Sequence, residues 1–378
     1  MLFYYLLAIL IFWVALVILL LINTRKIRFL KDQPLAKILP TVAVVIAVRN
    51  EEDNLAEALK SVCSLDYPNY QVMVVNDRST DQTQTILDSF TGQYPHLSVR
   101  VVSELPSGWL GKNHALQQGY LCTDSEWLLF TDADIVFDKD VLSRSMHYVT
   151  EHSLDHLTIF PEVRSRSLLL RSILQTFFIM LEVRQKPWEA RNPNSDAHMG
   201  IGAFNLVKRS SYQHAGTHSR IKLRPDDDLQ LGRLIKSSGF SQDVLYGEDQ
   251  IGLEWYTSIG EFTNGLMKNM FSVFDYNPFK AMGTAISTFL VFTFPLPATL
   301  LSGNRWCLLV GLAILALQWL LMWFKPTRKQ WWDFLVIAFA GGVMTYIILK
   351  STYKTLSQNG IIWRDSFYSL KELKKRSD

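Results

Sequence analysis

The stretch VAVVIAVRNEEDNLAEALKSVCSLDYPNYQVMVVNDRSTD, residues 42–81, decides the fold. It opens on an unbroken apolar run, Val42 to Val48, passes through an amphipathic stretch, Leu55 to Val62, and returns to a second apolar run, Val72 to Asn76. Another amphipathic stretch follows, Thr83 to Phe90. Strand, helix and strand in this order imply βαβ units and a mainly parallel α/β sheet. Further buried strands are expected at Ser98 to Val102, Trp127 to Thr131 and Leu157 to Pro161, with a helix over Gly111 to Tyr120. Such sheets collect ligands at the carboxyl ends of their strands.

Three acidic clusters stand at those ends. Arg49-Asn50-Glu51-Glu52-Asp53 follows the first strand, Asn76-Asp77-Arg78-Ser79-Thr80-Asp81 the second, and Asp132-Ala133-Asp134 the strand that begins at Trp127. Each alone reads as a helix cap or turn, since Asp, Asn, Ser and Thr populate strand-to-helix loops. Together they gather negative charge on one rim, and two unit charges at 4 Å repel by about 1 kcal/mol even in water. A cation or a bound ligand would relieve that repulsion. Asp132 and Asp134, two apart on an extended segment, would point the same way and meet one hard cation, Mg²⁺ or Mn²⁺. Farther on, Pro225-Asp226-Asp227-Asp228-Leu229 precedes a helix expected to end at Gly239. A helix dipole accounts for one or two of these carboxylates, and a third suits a base beside a reacting group.

Composition narrows the class. Of 378 residues, 48% are apolar and 19% charged, which excludes a disordered chain. Net charge is only +3, so there is no broad basic field and nucleic acid is not an expected partner. Three widely spaced cysteines argue against a disulfide framework or a zinc site. The apolar residues collect at the ends. Met1 to Ile22 is uncharged, and a helix of that length spans about 33 Å, the thickness of a bilayer core. Arg25, Lys26, Arg28 and Lys31 follow at once, which places the middle of the chain on the cytoplasmic side, at the plasma membrane in a bacterium. Residues 281–302, 306–324 and 331–349 could each cross as well. Three such crossings would leave the basic tail outside, whereas re-entry at Phe294-Pro295-Leu296-Pro297 would return it to the cytosol.

The ordered set of Val44 to Glu51, Val74 to Asp81, Phe130 to Asp134 and Asp227-Asp228 resembles the family 2 nucleotide-sugar glycosyltransferases with the GT-A fold. It is most similar to their membrane-anchored, lipid-modifying branch, which includes ceramide glucosyltransferase and the hopanoid- and carotenoid-associated enzymes. The resemblance runs from about residue 41 to about residue 270. It implies that Glu51 and Asp77 lie by the nucleoside, that Asp132 and Asp134 hold the metal and diphosphate, and that Lys112, in Trp109-Leu110-Gly111-Lys112, faces the phosphates. It implies a catalytic base at Asp228 with Asp227 as its acidic partner. An Asp run stands where the family has Glu before Asp, which leaves the choice between the two open. The later (Q/R)xxRW element has a partial counterpart in Gly252 to Tyr256, where Trp255 would line the acceptor site, and Arg364 is a substitute for its basic residue.

The chain is accordingly expected to comprise an anchor (1–23), a basic juxtamembrane linker (24–40), a GT-A domain (41–265), interfacial and transmembrane helices (266–352) and a polar tail (353–378). The expected activity is inverting transfer of a sugar, from a UDP-sugar or similar nucleotide-sugar donor, to the hydroxyl of a lipid in the bilayer. Two further stretches, Ser167 to Leu181 and Phe262 to Phe279, fit either interfacial helices or ordinary core. Rival readings are a processive polysaccharide synthase, a polyprenyl-phosphate sugar transferase and a non-catalytic membrane scaffold. Nothing in the sequence sets the oligomeric state.

Overall fold

A computed structural model describes residues 1–325, 332–363 and 366–374. The chain forms two compact units: Ile27–Arg164 with Gln185–Glu254 makes a sheet unit, and Met1–Lys26, Ser165–Arg184 and Trp255–Lys374 make a helical unit. Arg364 lies outside the described residues.

The sheet unit holds nine strands: β1 (Arg28–Phe29), β2 (Val42–Val48), β3 (Tyr70–Asp77), β4 (Leu97–Val102), β5 (Trp127–Thr131), β6 (Ile135–Phe137), β7 (His156–Val163), β8 (Asn205–Lys208) and β9 (Gln242–Leu253). Their order is β1-β9-β7-β8-β5-β2-β3-β4, with β6 alongside β9. β2 is central and almost wholly buried, which is why its sequence is apolar at every position rather than alternating. It pairs in parallel with β3 and with β5, Val48 opposite Asn76 and Ile46 opposite Thr131. The chain therefore leaves β2, β3 and β5 at one edge of the sheet, and the three acidic clusters begin there. Helices Leu55–Cys63 and Thr83–Thr91 form where amphipathic stretches were expected, and Gly111–Leu121 where a helix was expected. The core on one face joins Ala43, Val45, Leu128 and Phe130 of the sheet to Leu116 of the helix Gly111–Leu121 and Tyr212 of the helix Arg209–Ala215.

The sheet is mixed. β8 runs antiparallel to both β5 and β7, and β6 antiparallel to β9. Neither β8 nor β9 follows from the apolar pattern. β8 has four residues, and β9 carries Asp243, Glu248 and Asp249 within its length, which hides its apolar positions.

In the helical unit, Leu2–Lys26, Arg305–Phe324 and Asp333–Ser357 are long and apolar enough to cross a membrane. The first buries Leu6, Ile9, Trp13, Leu16, Val17 and Leu20, a stripe with helical spacing, and the Trp13 ring meets Phe292 edge-on at 5.4 Å. Pro278–Thr293 and Pro295–Leu301 form a pair bent by 48°. Pro295 cannot donate an amide hydrogen bond and its ring crowds the preceding turn, and the five residues before Phe294 are wound as a π-helix, so the bend falls where the sequence placed the break.

The stretch Phe262 to Phe279, read above as one helix, is not one. The helix Ile259–Asn269 stops, Asp275 and Tyr276 take left-handed backbone angles, and Asn277 caps a new helix that begins with Pro278. The helix Leu168–Gln185 buries Leu170, Ile173, Leu174 and Ile179 within this unit. It also carries two buried polar contacts: Ser172 Oγ donates to Asp333 Oδ1 at 2.5 Å, and Glu182 Oε2 lies 2.8 Å from Lys325 Nζ, with both charged side chains only 2% exposed.

A buried ion pair is most costly when half of it is removed. In detergent micelles, Lys325→Met is expected to destabilise the helical unit by about 3–5 kcal/mol, and adding Glu182→Leu to recover most of that loss. Thermal unfolding of the three proteins checks this; a Lys325→Met variant that melts like the parent would show that the pair contributes nothing.

Candidate active site

The first two loops at the sheet edge are laced together by their own polar groups. Thr80 N donates to Asn50 Oδ1 (2.8 Å), Gln82 N to Glu52 Oε2 (2.8 Å) and Glu52 N to Asp81 Oδ2 (3.2 Å). Glu52 and Asp81 are thus turn-forming carboxylates. Asp77, at the end of β3, is 3% exposed and is gripped by its neighbour: Arg78 Nε donates to Oδ1 at 2.8 Å and Nη2 to Oδ2 at 3.0 Å. Arg49 Nη1 stands 3.9 Å from the same carboxylate. The rim therefore carries more protein cations than the sequence reading allowed for.

Lys112 stands in the first turn of the helix Gly111–Leu121, and its ammonium lies 2.8 Å from Asp132 Oδ1 and 3.4 Å from Asp227 Oδ1. One side chain thereby brings the DxD segment and the distant Asp run into a single cleft, which Asp228, Gly202 and Asn205 also line. Burial acts to lower the lysine's pKa, but Asp132, Asp227 and Asp228 outweigh it and hold Lys112 charged. The three consecutive aspartates have different surroundings. Asp226 is clamped by Arg224 through two hydrogen bonds of 3.0 and 2.8 Å, Asp227 meets Lys112, and Asp228 Oδ2 accepts from Gly202 N at 2.8 Å.

The segment Met199–Asn205 threads between the two acidic groups. Asp132 N donates to Gly202 O at 2.9 Å, while Gly202 N binds Asp228, so one residue holds both. Only glycine fits here. A Cβ on Gly202 would stand 2.3 Å from Asp132 Oδ2, and one on Gly200 would stand 1.8 Å from the Asp228 carbonyl oxygen. The close approach that Gly200 and Gly202 permit is thus the means by which the carboxylates converge.

Asp132-Ala133-Asp134 forms a turn between β5 and β6 rather than the extended segment expected. Asp134 is pushed up to about 7 by burial, by Asp132 and by Glu51. Asp227 also rises to about 7, through burial, with Lys112 acting the other way. Burial raises Asp228 too, again against Lys112. Carboxylates that burial, and after it their carboxylate neighbours, make costly to ionise suit a hard cation. Among the described residues no three His, Cys, Asp or Glu side chains close on one point, so a cation at Asp132 and Asp134 would need further oxygens from its ligand. Trp255 belongs to the helical unit, where it packs with Phe177, Phe178, Tyr256 and Phe262.

Sequence reasoning did not single out Arg49, Arg78, Arg224 or Asn205. Arg78 and Arg224 sit one and two residues from the carboxylates they hold, and that adjacency was the available signal.

Residues 43–216 match the family model described as glycosyl transferase family 2. The chain is 35% identical over 122 residues to a β-monoglucosyldiacylglycerol synthase of Synechocystis, a match covering 32% of this chain and 25% of the relative. It is 24% identical over 217 residues to the 4,4'-diaponeurosporenoate glycosyltransferase of Staphylococcus aureus, covering 57% of this chain and 56% of that protein. The matched segments thus span from a quarter to about half of these relatives. Among solved structures, a mannosyltransferase of Pyrobaculum calidifontis in complex with GDP-Man and Mn²⁺ superposes with a TM-score of 0.56 at 16% identity, over 95% of this chain and 99% of that one. At that identity the likeness speaks for the fold. Residues 43–216 are thus similar to glycosyl transferase family 2 domains, and the fold around them is GT-A-like.

Proposed function

We propose that this protein is an inverting glycosyltransferase that moves a sugar from a nucleotide-diphosphate donor, a UDP-sugar by preference, to a hydroxyl of a membrane lipid. The observation that carries the reading is the Lys112 bridge, which assembles Asp132, Asp227 and Asp228 in one cleft at the carboxyl edge of the sheet. The relatives' names supply the acceptor class, a diacylglycerol in one and a carotenoid acid in the other. The candidate spans supply the membrane. The sheet unit would face the cytoplasm, in keeping with the cluster from Arg25 to Lys31.

Asp132 and Asp134 are the residues that would hold Mg²⁺ or Mn²⁺, which would supply charge neutralisation for a departing diphosphate. Lys112 adds a second positive charge on that side. Glu51 and Asp77 flank the nucleoside, Asp77 with its carboxylate oriented by Arg78. Asp228 takes the proton from the acceptor hydroxyl as that oxygen bonds to the anomeric carbon and the carbon–diphosphate bond breaks. Asp227 is engaged by Lys112, which leaves Asp228, turned to the Gly202 amide, as the base. Burial suits it to the task, because a base whose pKa is raised toward neutrality accepts a proton more readily. One base without a covalent partner implies a single displacement, hence a β-linked product from an α-linked donor. Trp255 would line the acceptor site.

Release of UDP from UDP-sugars by the purified protein is expected to require Mn²⁺ or Mg²⁺, and to vanish on chelation and in Asp134→Ala. Metal-independent release at the wild-type rate in that variant would remove the cation from the reaction. Asp228→Asn should lower kcat by about 10²–10⁴-fold with UDP binding retained, while Asp227→Asn should weaken donor use through Lys112. Steady-state kinetics with calorimetric UDP binding separates the two, and a larger kcat loss in Asp227→Asn would exchange their roles. The anomeric configuration of the lipid product, read by NMR, decides inversion.

A further inference from the structure

His156, Asn205 and Gln242 lie on three adjacent strands, and His156 stands directly opposite Gln242 in the β7–β9 register. None is more than 2% exposed. Gln242 Nε2 donates to His156 Nδ1 at 2.6 Å, and His156 Nε2 bonds to Asn205 Oδ1. The two ends of this chain are backbone groups whose polarity is fixed. Gln242 Oε1 accepts from Met199 N at 2.8 Å, and Asn205 Nδ2 donates to the Asp228 carbonyl at 3.3 Å.

An amide N–H can only donate and a carbonyl can only accept, so the ends dictate everything between them. Met199 N turns the Gln242 oxygen toward itself, which presents the Gln242 NH₂ to His156 Nδ1. Nδ1 must then accept, Nε2 must carry the ring's one proton, and Asn205 must offer its oxygen to the ring and its NH₂ to Asp228. Only a neutral, Nε2-protonated imidazole completes the series. Burial holds His156 in that neutral form by pushing it down to about 4.

What the series grips is the segment that places the reacting groups. Met199 and Asn205 are its two ends, and between them Gly200 presses on the Asp228 carbonyl while Gly202 binds both Asp132 and Asp228. We propose that His156 is a positioning residue for sugar transfer: through Gln242 and Asn205 it clamps the Met199–Asn205 segment and so sets the separation of the base Asp228 from the donor-side Asp132. The assignment rests on the glycosyltransfer reading above.

The test uses the full chain in lipid nanodiscs, with His156→Phe, which keeps a ring of similar size and removes both nitrogens, and Asn205→Ala, which cuts the series at its other end. Nucleotide release from UDP-glucose with Mn²⁺ is expected to show kcat lowered about 10- to 100-fold, the loss typical of a small misplacement, with donor KM within about threefold of the parent. Amide exchange followed by mass spectrometry is expected to quicken at least about tenfold in peptides covering residues 199–206, and to stay unchanged in β4. Unchanged exchange at 199–206 in whichever variant folds, or a kcat that falls only in proportion to the folded fraction, would overturn the assignment. A parent protein that releases no nucleotide from any sugar donor would overturn the function instead, while the exchange measurement would still decide whether His156 holds the segment.

Discussion

An ammonium held between two carboxylates from distant parts of the chain is the interaction on which the site depends. At about 4 Å, like charges at an effective dielectric near 20 repel by about 4 kcal/mol, and the cleft sets Asp132, Asp227 and Asp228 around one small space. Without Lys112 that arrangement would push the carboxylates apart or protonate them. The lysine reaches them because the helix Gly111–Leu121 packs on β2 and β3 and starts at the edge where those strands end. A packing constraint in the core thereby becomes an electrostatic constraint at the rim. The compensation is partial, since burial and then the neighbouring carboxylates still push Asp134 and Asp227 up to about 7.

The parallel half of the fold was legible because physical chemistry writes it locally. β2 is buried and apolar throughout, β3 is so over Val72–Val75 and β5 over Trp127–Phe130, and β2 and β5 occupy the expected bounds. The helices Leu55–Cys63 and Thr83–Thr91 are amphipathic at helical spacing. The part that escaped is held by partners distant in the chain. β9 contains Glu248 and Asp249 at a solvent-facing turn of the strand, with Lys31 beside them, and a strand with charges in it does not look like one. The site was legible as a set of acidic residues at strand ends, but not as a charge pattern. The partners Arg49, Arg78, Lys112 and Arg224 divide the carboxylates into those that stabilise loops and those that converge on the cleft. No periodicity encodes that division.

The helical unit shows a similar split. Apolar length marks its long helices, and Phe294-Pro295-Leu296-Pro297 marks the bend. Composition does not reveal the Glu182–Lys325 pair or the Ser172–Asp333 contact, because each joins residues more than 140 positions apart. Both tie the helix Leu168–Gln185, read from sequence as either interface or core, to polar groups that would otherwise be buried alone.

The one antiparallel strand in the middle of the sheet explains why the cleft can form at all. In a wholly parallel sheet the residues leading into a strand lie at the edge opposite to those leaving its neighbours. β8 runs against β5, with Asn205 paired to Phe130, so the segment entering β8 arrives where the chain leaves β5 toward Asp132. Met199–Phe204 is thereby delivered to the carboxyl edge, close enough for Gly202 to hold Asp132 on one side and Asp228 on the other. β8 is only four residues long and owes its position to burial between β5 and β7 rather than to any strong strand propensity of its own. Reversing a single strand thus joins the Asp132 side of the cleft to the Asp228 side, and the glycines that follow from so close a contact are its signature in the sequence.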